Sequence, residues 1–453
     1  MNLPNYFLAD LPPEATLSPA IVGEACRALK ANRARYLANR ATPDLISLLS
    51  RVGADWLEAG CSFRKIALEQ GPAATGFSAA TLASGLDAFF SELTPQNFQA
   101  LLEQDLGHAQ RLDLLASSPA EQAGHRASLA AGPDLLAHFA SGNPPNSVLA
   151  SMVIGLLARS AQFVKCTSGT SLLARLFAHS LYEADSKIAS CLEIAEWRNG
   201  NAPLEQALFV EADGVTAVGS DGALAEIRSC LPAPVRFLGY SHRVSFAFIA
   251  SEVLSSGFRR KVLEEAATEV VAWDQLGGLS PHVLYIQKDG AITPEQFAEL
   301  LAGELARREE SVPRGKLSAE TAAAIASRRS LYEIRATQLD DTRLWSSPGS
   351  TAWSVVYEAD PSFQTSCLHR FIYVKPAKDL SEVLQNAASI RGKIATVGLA
   401  APEHQIRQLA VELARWGVPR VCPLGRMQRP PLTWRHAGRP TLADLLTWTD
   451  WEQ

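Results

Sequence analysis

The spacing of apolar residues divides the chain into a helical part and a mixed part. Between Ser18 and Leu106, apolar side chains recur at helical spacing, most clearly over Ala20 to Asn39 and Thr42 to Leu57. From about Gly132, short apolar runs alternate with helical stretches instead. Strands that alternate with helices are typical of a parallel sheet covered by helices. We therefore predict an α/β fold with an N-terminal helical region.

The same pattern predicts individual elements in the mixed part. Ser147 to Ser160 is predicted as an apolar helix, Phe246 to Ala272 as one or two helices, and Arg308 to Lys316 as a charged, mobile link. The predicted strands include Asp134 to Ala140, Ala161 to Cys166, Ala207 to Val210, Thr216 to Val218, Val283 to Ile286, Trp353 to Glu358 and Ile394 to Leu399.

Composition narrows the classes of protein to consider. The net charge of −5 gives no electrostatic reason to expect a nucleic-acid partner. The seven cysteines are scattered and form no C-x-x-C pair, which argues against a structural metal site and fits the reducing cytoplasm. The first residues do not resemble a secretory signal. The longest apolar run, Val148 to Ala158, is too short to span a membrane.

One stretch stands out as the candidate centre of a functional site: Trp273-Asp274-Gln275-Leu276-Gly277-Gly278-Leu279-Ser280-Pro281-His282. It follows a predicted helix and leads directly into the predicted strand Val283 to Ile286. Adjacent glycines adopt backbone angles that other residues avoid, and they let a ligand approach the main chain closely.

This stretch resembles the nucleophile turn of the acyl-CoA reductase family, the fatty-acid reductases of bacterial luminescence, which belong to the aldehyde dehydrogenase superfamily. The family pattern is roughly D-Q-x-G-C-x-S-P, with a catalytic cysteine. The residues that match it are Asp274, Gln275, Gly277, Ser280 and Pro281. Gly278 stands at the position of the catalytic cysteine. Further similarity lies at His242-Arg243 and in the run from Arg420 to Gly425.

The resemblance implies that the chain binds NADP or NAD. No G-x-G-x-x-G follows a strand, but the superfamily binds its cofactor without that fingerprint. It uses a lysine at a strand end followed by small residues, which Lys165, Thr167 and Ser168 match, and a Gly-Ser turn at a helix start, which Gly219 and Ser220 match. Free N–H groups at a helix start favour a pyrophosphate. The alternatives are a solvated lysine and an ordinary helix cap.

The resemblance also implies catalytic roles for three polar residues. An asparagine in the loop before the apolar helix, Asn143 or Asn146, would donate to the oxyanion of the thiohemiacetal, a contribution of about 3 kcal/mol in comparable sites. His242 would donate a proton or contact the leaving thiol. The alternatives are a turn asparagine bonded to its own backbone and a hydrogen-bonded structural histidine. No carboxylate follows His242 until Glu252, so a thioester would be protected from water.

Taken together, the resemblance implies an aldehyde dehydrogenase-like α/β fold. It would comprise an N-terminal helical region (1–106), an NAD(P)-binding domain (107–245), a catalytic domain (246–429) and a C-terminal tail (430–453). The implied reaction is NAD(P)H-dependent reduction of a fatty acyl thioester, on CoA or a carrier, to an aldehyde. An acyl-transferring ligase partner and a homo-oligomer are also implied. Because glycine has no thiol, the alternative is a non-catalytic relative that binds the acyl thioester or the cofactor.

Overall fold

The computed structural model describes residues 3–12, 14–140, 142, 144–255 and 257–452. Backbone contacts divide the chain into two compact units. The first comprises Met1–Thr75, Leu86–His242 and Pro431–Gln453, and the second comprises Gly76–Gly85 and Arg243–Pro430.

The elements alternate between helices and strands after an entirely helical start. The helices are α1 (Pro19–Asn32), α2 (Thr42–Leu57), α3 (Ser62–Thr75), α4 (Ala79–Phe90), α5 (Pro95–Leu106), α6 (Pro119–Ala123), α7 (Asn146–Leu157), α8 (Leu172–Ala184), α9 (Ser186–Ala189), α10 (Ala202–Glu211), α11 (Asp221–Cys230), α12 (Arg259–Val271), α13 (Pro294–Ser311), α14 (Ala319–Gln338), α15 (Leu380–Asn386) and α16 (Glu403–Trp416). The strands are β1 (Arg126–Ala131), β2 (Leu135–Phe139), β3 (Ala161–Cys166), β4 (Leu192–Glu196), β5 (Gly214–Gly219), β6 (Arg236–Ser241), β7 (Val244–Ile249), β8 (Pro281–Gln287), β9 (Thr342–Ser346), β10 (Ser354–Glu358), β11 (Phe371–Ala377), β12 (Ile394–Ala400), β13 (Val421–Pro423) and β14 (Thr447–Glu452).

The N-terminal helices form where the sequence supplies caps and an apolar face. The Ser18 side chain caps α1 and the Thr94 side chain caps α5, each with a proline in the first helical turn. Gly107, in the left-handed conformation, ends α5. The apolar face of α2 is buried along its whole length, from Leu45 to Trp56. This confirms the predicted N-terminal helical region.

A five-stranded parallel sheet forms the centre of the first unit, in the order β4-β3-β2-β5-β6. Strands β2 and β3 are buried on both faces and are mostly apolar, as is usual for the inner strands of a parallel sheet. The chain builds outward from β2 in one direction through β3 and β4, and in the other through β5 and β6. The order therefore reverses between β2 and β5, the place where such sheets bind ligands beyond their carboxyl ends.

A seven-stranded sheet forms the centre of the second unit, in the order β13-β12-β7-β8-β11-β10-β9. All neighbouring strands in it are parallel except β9, which pairs antiparallel with β10. Two apolar clusters cover its faces, one with α12 and α13 and the other with α14, α15 and α16. Both units thus have the predicted mixed α/β architecture with parallel sheets.

Three local predictions were wrong. Ala207 to Val210 lies inside α10, which begins with the Asn201 cap and Pro203; Leu208 and Phe209 are buried against the unit, whereas Val210 is exposed. Phe246 to Ile249 lies in strand β7, because a short run buried on both faces has no periodicity that separates strand from helix. The segment from Arg308 to Lys316 is no mobile link: α13 continues to Ser311, and the main chain at Gly315 is bonded to Asp274.

The C-terminal tail belongs to the first unit. Its last strand, β14, pairs antiparallel with β1. The Arg236 guanidinium donates to the main-chain oxygens of Asp444 and Leu446. The Asp105 carboxylate accepts from the Leu442 N–H at 2.8 Å. No helix in the part of the chain that the structure describes is long and apolar enough to cross a membrane.

Candidate active site

In the first unit, the predicted cofactor lysine lies next to the carboxyl end of β3. The Lys165 side chain is only 1% exposed, and its ammonium donates to the Asn199 side chain. The ammonium also faces the rings of Phe139 and Trp197, at 5.8 and 6.0 Å from their centroids. Burial lowers the pKa of Lys165. The bland alternative of a solvated lysine is therefore wrong, because this lysine is held in a polar and aromatic niche.

The residues after Lys165 form an exposed turn before α8. Thr167 and Ser168 follow the strand, and the Thr167 carbonyl accepts from the N–H of Thr170 at 3.0 Å. The Glu196 carboxylate, at the end of β4, accepts from the Gly169 N–H. This turn leaves the Ser168 side chain exposed beside the strand ends. A hydroxyl in that position can hydrogen-bond a ribose or phosphate oxygen.

The Gly219-Ser220 turn joins the end of β5 to the start of α11. The Ser220 hydroxyl caps the helix by accepting from the Ala223 N–H at 3.3 Å. The first N–H groups of a helix have no intrahelical partner and attract anions. Asp221, in the first turn, places a negative charge at the same end. The turn is a helix cap, as the alternative held, and it also lies on the edge where the strand order reverses.

One further observation, at Trp197, is consistent with a nucleotide cofactor beside these residues. The Trp197 indole nitrogen is buried, and it has no hydrogen-bond partner among the residues that the structure describes. A buried donor without a partner costs free energy. An acceptor atom of a ligand bound beside Lys165 would pair with the Trp197 N–H and remove this cost. Bound there, NAD(P)H would supply hydride, while Lys165, Ser168 and the start of α11 would hold its ribose and phosphates.

The three predicted catalytic side chains of the first unit have different surroundings. Asn143 lies outside the described residues. Asn146 is the first residue of α7 and is partly buried. His242 is exposed just after β6, and its main-chain N–H donates to the Gly219 carbonyl at 3.2 Å. The chain therefore ties His242 to the Gly219-Ser220 turn, and it is not a buried structural histidine.

In the second unit, the Gly277-Gly278 turn follows three residues in the left-handed conformation. Trp273, Asp274 and Gln275 have φ values of 51°, 50° and 63°. Residues with a Cβ rarely adopt this conformation, and consecutive examples need strong surrounding contacts. The Trp273 ring supplies one such contact, because it packs directly against Gly85. A Cβ on Gly85 would lie 1.9 Å from the Trp273 Cζ2 atom, so only glycine fits there.

Buried polar contacts hold the rest of this left-handed segment. The Asp274 carboxylate pairs with Arg370 at 2.6 Å, and both side chains are almost fully buried. Its other oxygen accepts from the Gly315 N–H at 3.0 Å. The Gln275 amide donates to the Pro281 carbonyl at 2.8 Å, across the turn. The two residues that open the D-Q-x-G pattern therefore fix the backbone on either side of the glycines.

The two glycines have opposite surroundings. A Cβ on Gly277 would lie 2.7 Å from the Gln428 Oε1 atom. A Cβ on Gly278 would have, among the described residues other than its chain neighbours, only the Arg243 carbonyl within 4 Å, at 3.9 Å. Gly278 is exposed and its φ lies outside the left-handed region. Its carbonyl accepts from the Ser245 hydroxyl at 3.0 Å. The turn therefore has room for a side chain at the position that carries none.

No cysteine of the second unit takes the place of the missing thiol. Cys367 and Cys422 are both half-buried. Burial raises the pKa of each thiol above its ordinary value, so both are protonated at neutral pH. The Cys422 sulfur lies 3.7 Å from the Thr396 hydroxyl, inside the sheet. Among the described residues, no group of three His, Cys, Asp or Glu side chains could hold a metal ion.

This turn lies at the amino end of its sheet. Gly278 precedes the first residue of β8, Pro281, and contacts Ser245 near the start of β7. The carboxyl ends of the same strands lie at the opposite edge. In the first unit the candidate cofactor residues lie at the carboxyl ends of parallel strands, where such sheets generally bind ligands, whereas the Gly277-Gly278 turn of the second unit lies at the amino end of its sheet.

Sequence reasoning missed the residues that hold this turn. Arg370, Ser245 and Gln428 belong to distant strands and loops, and nothing in their local sequence connects them with the glycines. Gly85 gave a weak signal, because a glycine inside a helix usually has a packing reason. The Arg243 guanidinium donates to the carbonyls of Gly392 and Ile394.

Comparison with known proteins agrees with this architecture. The chain matches the family described as acyl-CoA reductase (LuxC) over residues 37–448. A search of curated proteins finds no match. Among solved structures, bifunctional proline utilization A (PutA) superposes with a TM-score of 0.70 at 18% identity, covering 98% of this chain and 46% of PutA. The chain thus spans about half the length of PutA.

Two further structures are similar over nearly their whole length. A protein from Burkholderia cenocepacia assigned as an aldehyde dehydrogenase gives a TM-score of 0.69 at 15% identity, covering 98% of this chain and 95% of that one. PnpE from Pseudomonas sp. WBC-3 gives 0.69 at 14% identity, with 96% and 90% covered. At these identities the likeness shows the fold alone, which is aldehyde dehydrogenase-like.

Proposed function

Because the chain belongs to the acyl-CoA reductase (LuxC) family, we propose that it reduces a fatty acyl thioester, carried by CoA or an acyl carrier, to an aldehyde. The acyl thioester, NADH or NADPH and one proton would give the aldehyde, the free thiol and the oxidised cofactor. The observation that carries this proposal is the Asp274-to-Pro281 turn, whose left-handed entry is held by buried contacts and whose Gly278 position is open.

The first unit supports the cofactor part of the proposal. Lys165, Thr167 and Ser168 follow one strand of the parallel sheet, and Gly219 and Ser220 follow another. These positions suit the ribose and phosphate groups of NAD(P)H. Two carboxylates, Glu196 and Asp221, lie at the ends of the strands that carry these residues, and a carboxylate beside the ribose would disfavour a 2′-phosphate. Titration of the protein with NADH and with NADPH distinguishes the two cofactors.

Polar groups in the first unit would assist the carbonyl chemistry. Asn143 and Asn146 are the proposed donors to the oxyanion that forms when the carbonyl carbon becomes tetrahedral. His242 is the proposed proton donor to the departing thiolate. No carboxylate occupies the His242 segment, which would leave water without a base to activate it and so favour thioester exchange over hydrolysis.

The absence of a thiol at position 278 supports a second candidate function. A relative without the nucleophile could bind the acyl thioester or the cofactor without catalysing the reduction. The protonated state of Cys367 and Cys422 favours this alternative, because neither is a ready nucleophile. We propose that such a protein would act beside an acyl-transferring ligase, and as a homo-oligomer in the cytoplasm.

One experiment separates the two candidates. The purified protein is incubated with a radiolabelled fatty acyl-CoA, with and without NADPH or NADH, and aldehyde, cofactor oxidation and protein-bound label are measured. Cofactor-dependent aldehyde formation supports the reductase. Saturable acyl-CoA or cofactor binding without turnover supports the binding protein. A protein that shows no turnover and no binding would contradict both proposals.

A further inference from the structure

A buried carboxylate stands behind the candidate turn, and the proposed chemistry does not use it. Glu269, on α12, is 0% exposed. Its Oε1 atom accepts from the Met427 N–H at 2.7 Å, and the N–H groups of Gly425 and Gln428 also face the carboxylate. The Glu269 carboxylate therefore interacts with several N–H groups of a single loop, residues 425–428, which we name the clamp loop.

The carbonyl groups of the clamp loop are held as firmly. The Arg420 guanidinium donates to the Arg426 and Met427 oxygens at 2.9 and 2.7 Å. The Met427 side chain packs against Gly398, where a Cβ would lie 2.5 Å from the Met427 sulfur. Gly425, with a φ of 86°, allows the sharp turn that begins the loop. The loop is thus fixed by Glu269 on one side and Arg420 on the other.

The clamp loop contacts the candidate turn through one side chain. The Gln428 amide donates to the Ser280 hydroxyl at 2.6 Å. Its Oε1 atom lies against Gly277, at 2.7 Å from where a Cβ would be. The position of this amide therefore fixes the residues on either side of Gly278.

We propose that Glu269 is a positioning residue of the Gly278 turn, which it holds in place through the clamp loop and the Gln428 amide. This inference rests on the proposed function only in taking the Gly278 turn as the reacting centre. It adds a form of regulation: the turn is held more firmly when Glu269 is ionised, because a carboxylate accepts N–H hydrogen bonds more strongly than a neutral carboxyl group does.

The ionisation of Glu269 falls in the physiological range. Burial raises the pKa of Glu269 to about 7, while the N–H groups of the clamp loop and the charge on Arg420 limit the increase. The Cys422 thiol interacts electrostatically with Glu269, and Glu265 lies one turn earlier on α12. Glu265 contacts Gly425 with its aliphatic part, 3.0 Å from where a Cβ would be.

A thiol introduced at the open position reports on the turn without any substrate. In Gly278→Cys, the rate of alkylation by iodoacetamide is measured from pH 5.5 to 9, with the labelled peptide identified by mass spectrometry. We expect two inflections in the plot of alkylation rate against pH. One comes from ionisation of the new thiol, and the second, near pH 7, changes the rate by about threefold as Glu269 ionises. In Gly278→Cys/Glu269→Gln this second inflection should disappear. Identical profiles in the two proteins would overturn the proposal.

Two further variants keep the test decisive. Glu265→Gln, on the same helix and beside the same loop, should retain the inflection because that carboxylate is not bonded to the loop. Gln428→Ala should remove it while leaving Glu269 in place, and this variant decides the matter if Glu269→Gln fails to fold. Retention of the inflection in Gln428→Ala would contradict transmission through the amide. No cofactor or acyl substrate is used, so a failure here leaves the proposed function standing, and the reverse is also true.

Discussion

At the scale of single residues, the neighbouring glycines Gly277 and Gly278 differ in whether the packing around them requires a glycine. Gly277 is required by packing, because the Gln428 amide occupies the space of a Cβ. Gly278 is not required by packing or by its backbone angles, because its surroundings are open and its φ is ordinary for any residue. The fold therefore tolerates a glycine at position 278 but does not require one, in keeping with the proposal that this is the position of the family's nucleophile.

This contrast predicts opposite effects of small substitutions on stability. Gly278→Cys should leave the melting temperature unchanged within error, because its side chain enters open space. Gly277→Ala should destabilise the protein by about 1–3 kcal/mol, because the Gln428 amide must move. Thermal unfolding followed by circular dichroism checks both. Equal losses in the two variants would show that the Gly278 position is packed.

Asp221 gives a second prediction at this scale. If a pyrophosphate binds at the start of α11, the carboxylate in the first turn opposes it. Asp221→Asn should then tighten NADPH binding by about two- to fivefold in a fluorescence titration. Glu226→Gln, on the same exposed helix beyond its first turn, is the matched control and should change little. A weaker affinity in Asp221→Asn would place the cofactor elsewhere.

At the scale of elements, the cofactor-side sheet has a polar link across its centre. His138, on β2, is 2% exposed, and its ring nitrogens contact the Thr216 hydroxyl at 2.6 Å and the Gln162 side chain at 2.9 Å. These partners lie on the strands to either side, so one histidine ties β3, β2 and β5 together. Burial lowers the pKa of His138 from 6.5 to about 4, which keeps the ring neutral.

The lowered pKa of His138 predicts a loss of stability in acid. A histidine with a folded pKa below its unfolded value stabilises the fold above the unfolded pKa, and that stability is lost as the pH falls through the folded pKa. Between pH 6.5 and about 4 the loss should amount to about 3 kcal/mol. His138→Asn should be less stable at pH 7 and show a shallower decline in that window. Chemical denaturation at each pH measures this, and parallel pH profiles would contradict it.

The elements also show how far the sequence alone could lead. The α/β class, the strand that ends near Lys165 and the Gly219-Ser220 helix start were predicted, because buried strands and helix caps depend on neighbouring residues. Ala207 to Val210 was assigned wrongly, because a short apolar run is compatible with strand and helix alike. The Asp274–Arg370 pair joins residues far apart in sequence, so no local pattern could reveal it.

At the scale of the whole molecule, the chain re-enters its first unit at Pro431, after the long second segment of the second unit. Residues 431–452 carry β14 and a series of contacts to the helices and strands of that unit. The Leu432 N–H donates to Glu92 and the Leu442 N–H to Asp105. These contacts join residues more than 300 positions apart in sequence, so the segment after Pro431 contributes to the packing of the first unit.

Truncation tests this dependence on the tail. Deletion of residues 431–453 should leave the first unit unstable or aggregated, because it removes buried contacts as well as β14. Deletion of residues 447–453 alone should be milder, because the side chains of β14 are exposed along its length. Solubility and melting temperature compare the two. Equal effects would mean that β14 pairing, and not the preceding segment, holds the unit together.

The central claim is that the Gly278 turn is where an acyl thioester meets this protein, with the thiol missing from an otherwise maintained site. Intact-mass spectrometry of Gly278→Cys after incubation with a fatty acyl-CoA tests it most directly. We expect one acyl group per chain, mapped to the new cysteine and absent from the unmodified protein under the same conditions. A folded Gly278→Cys protein that gains no acyl group at position 278 would contradict the account.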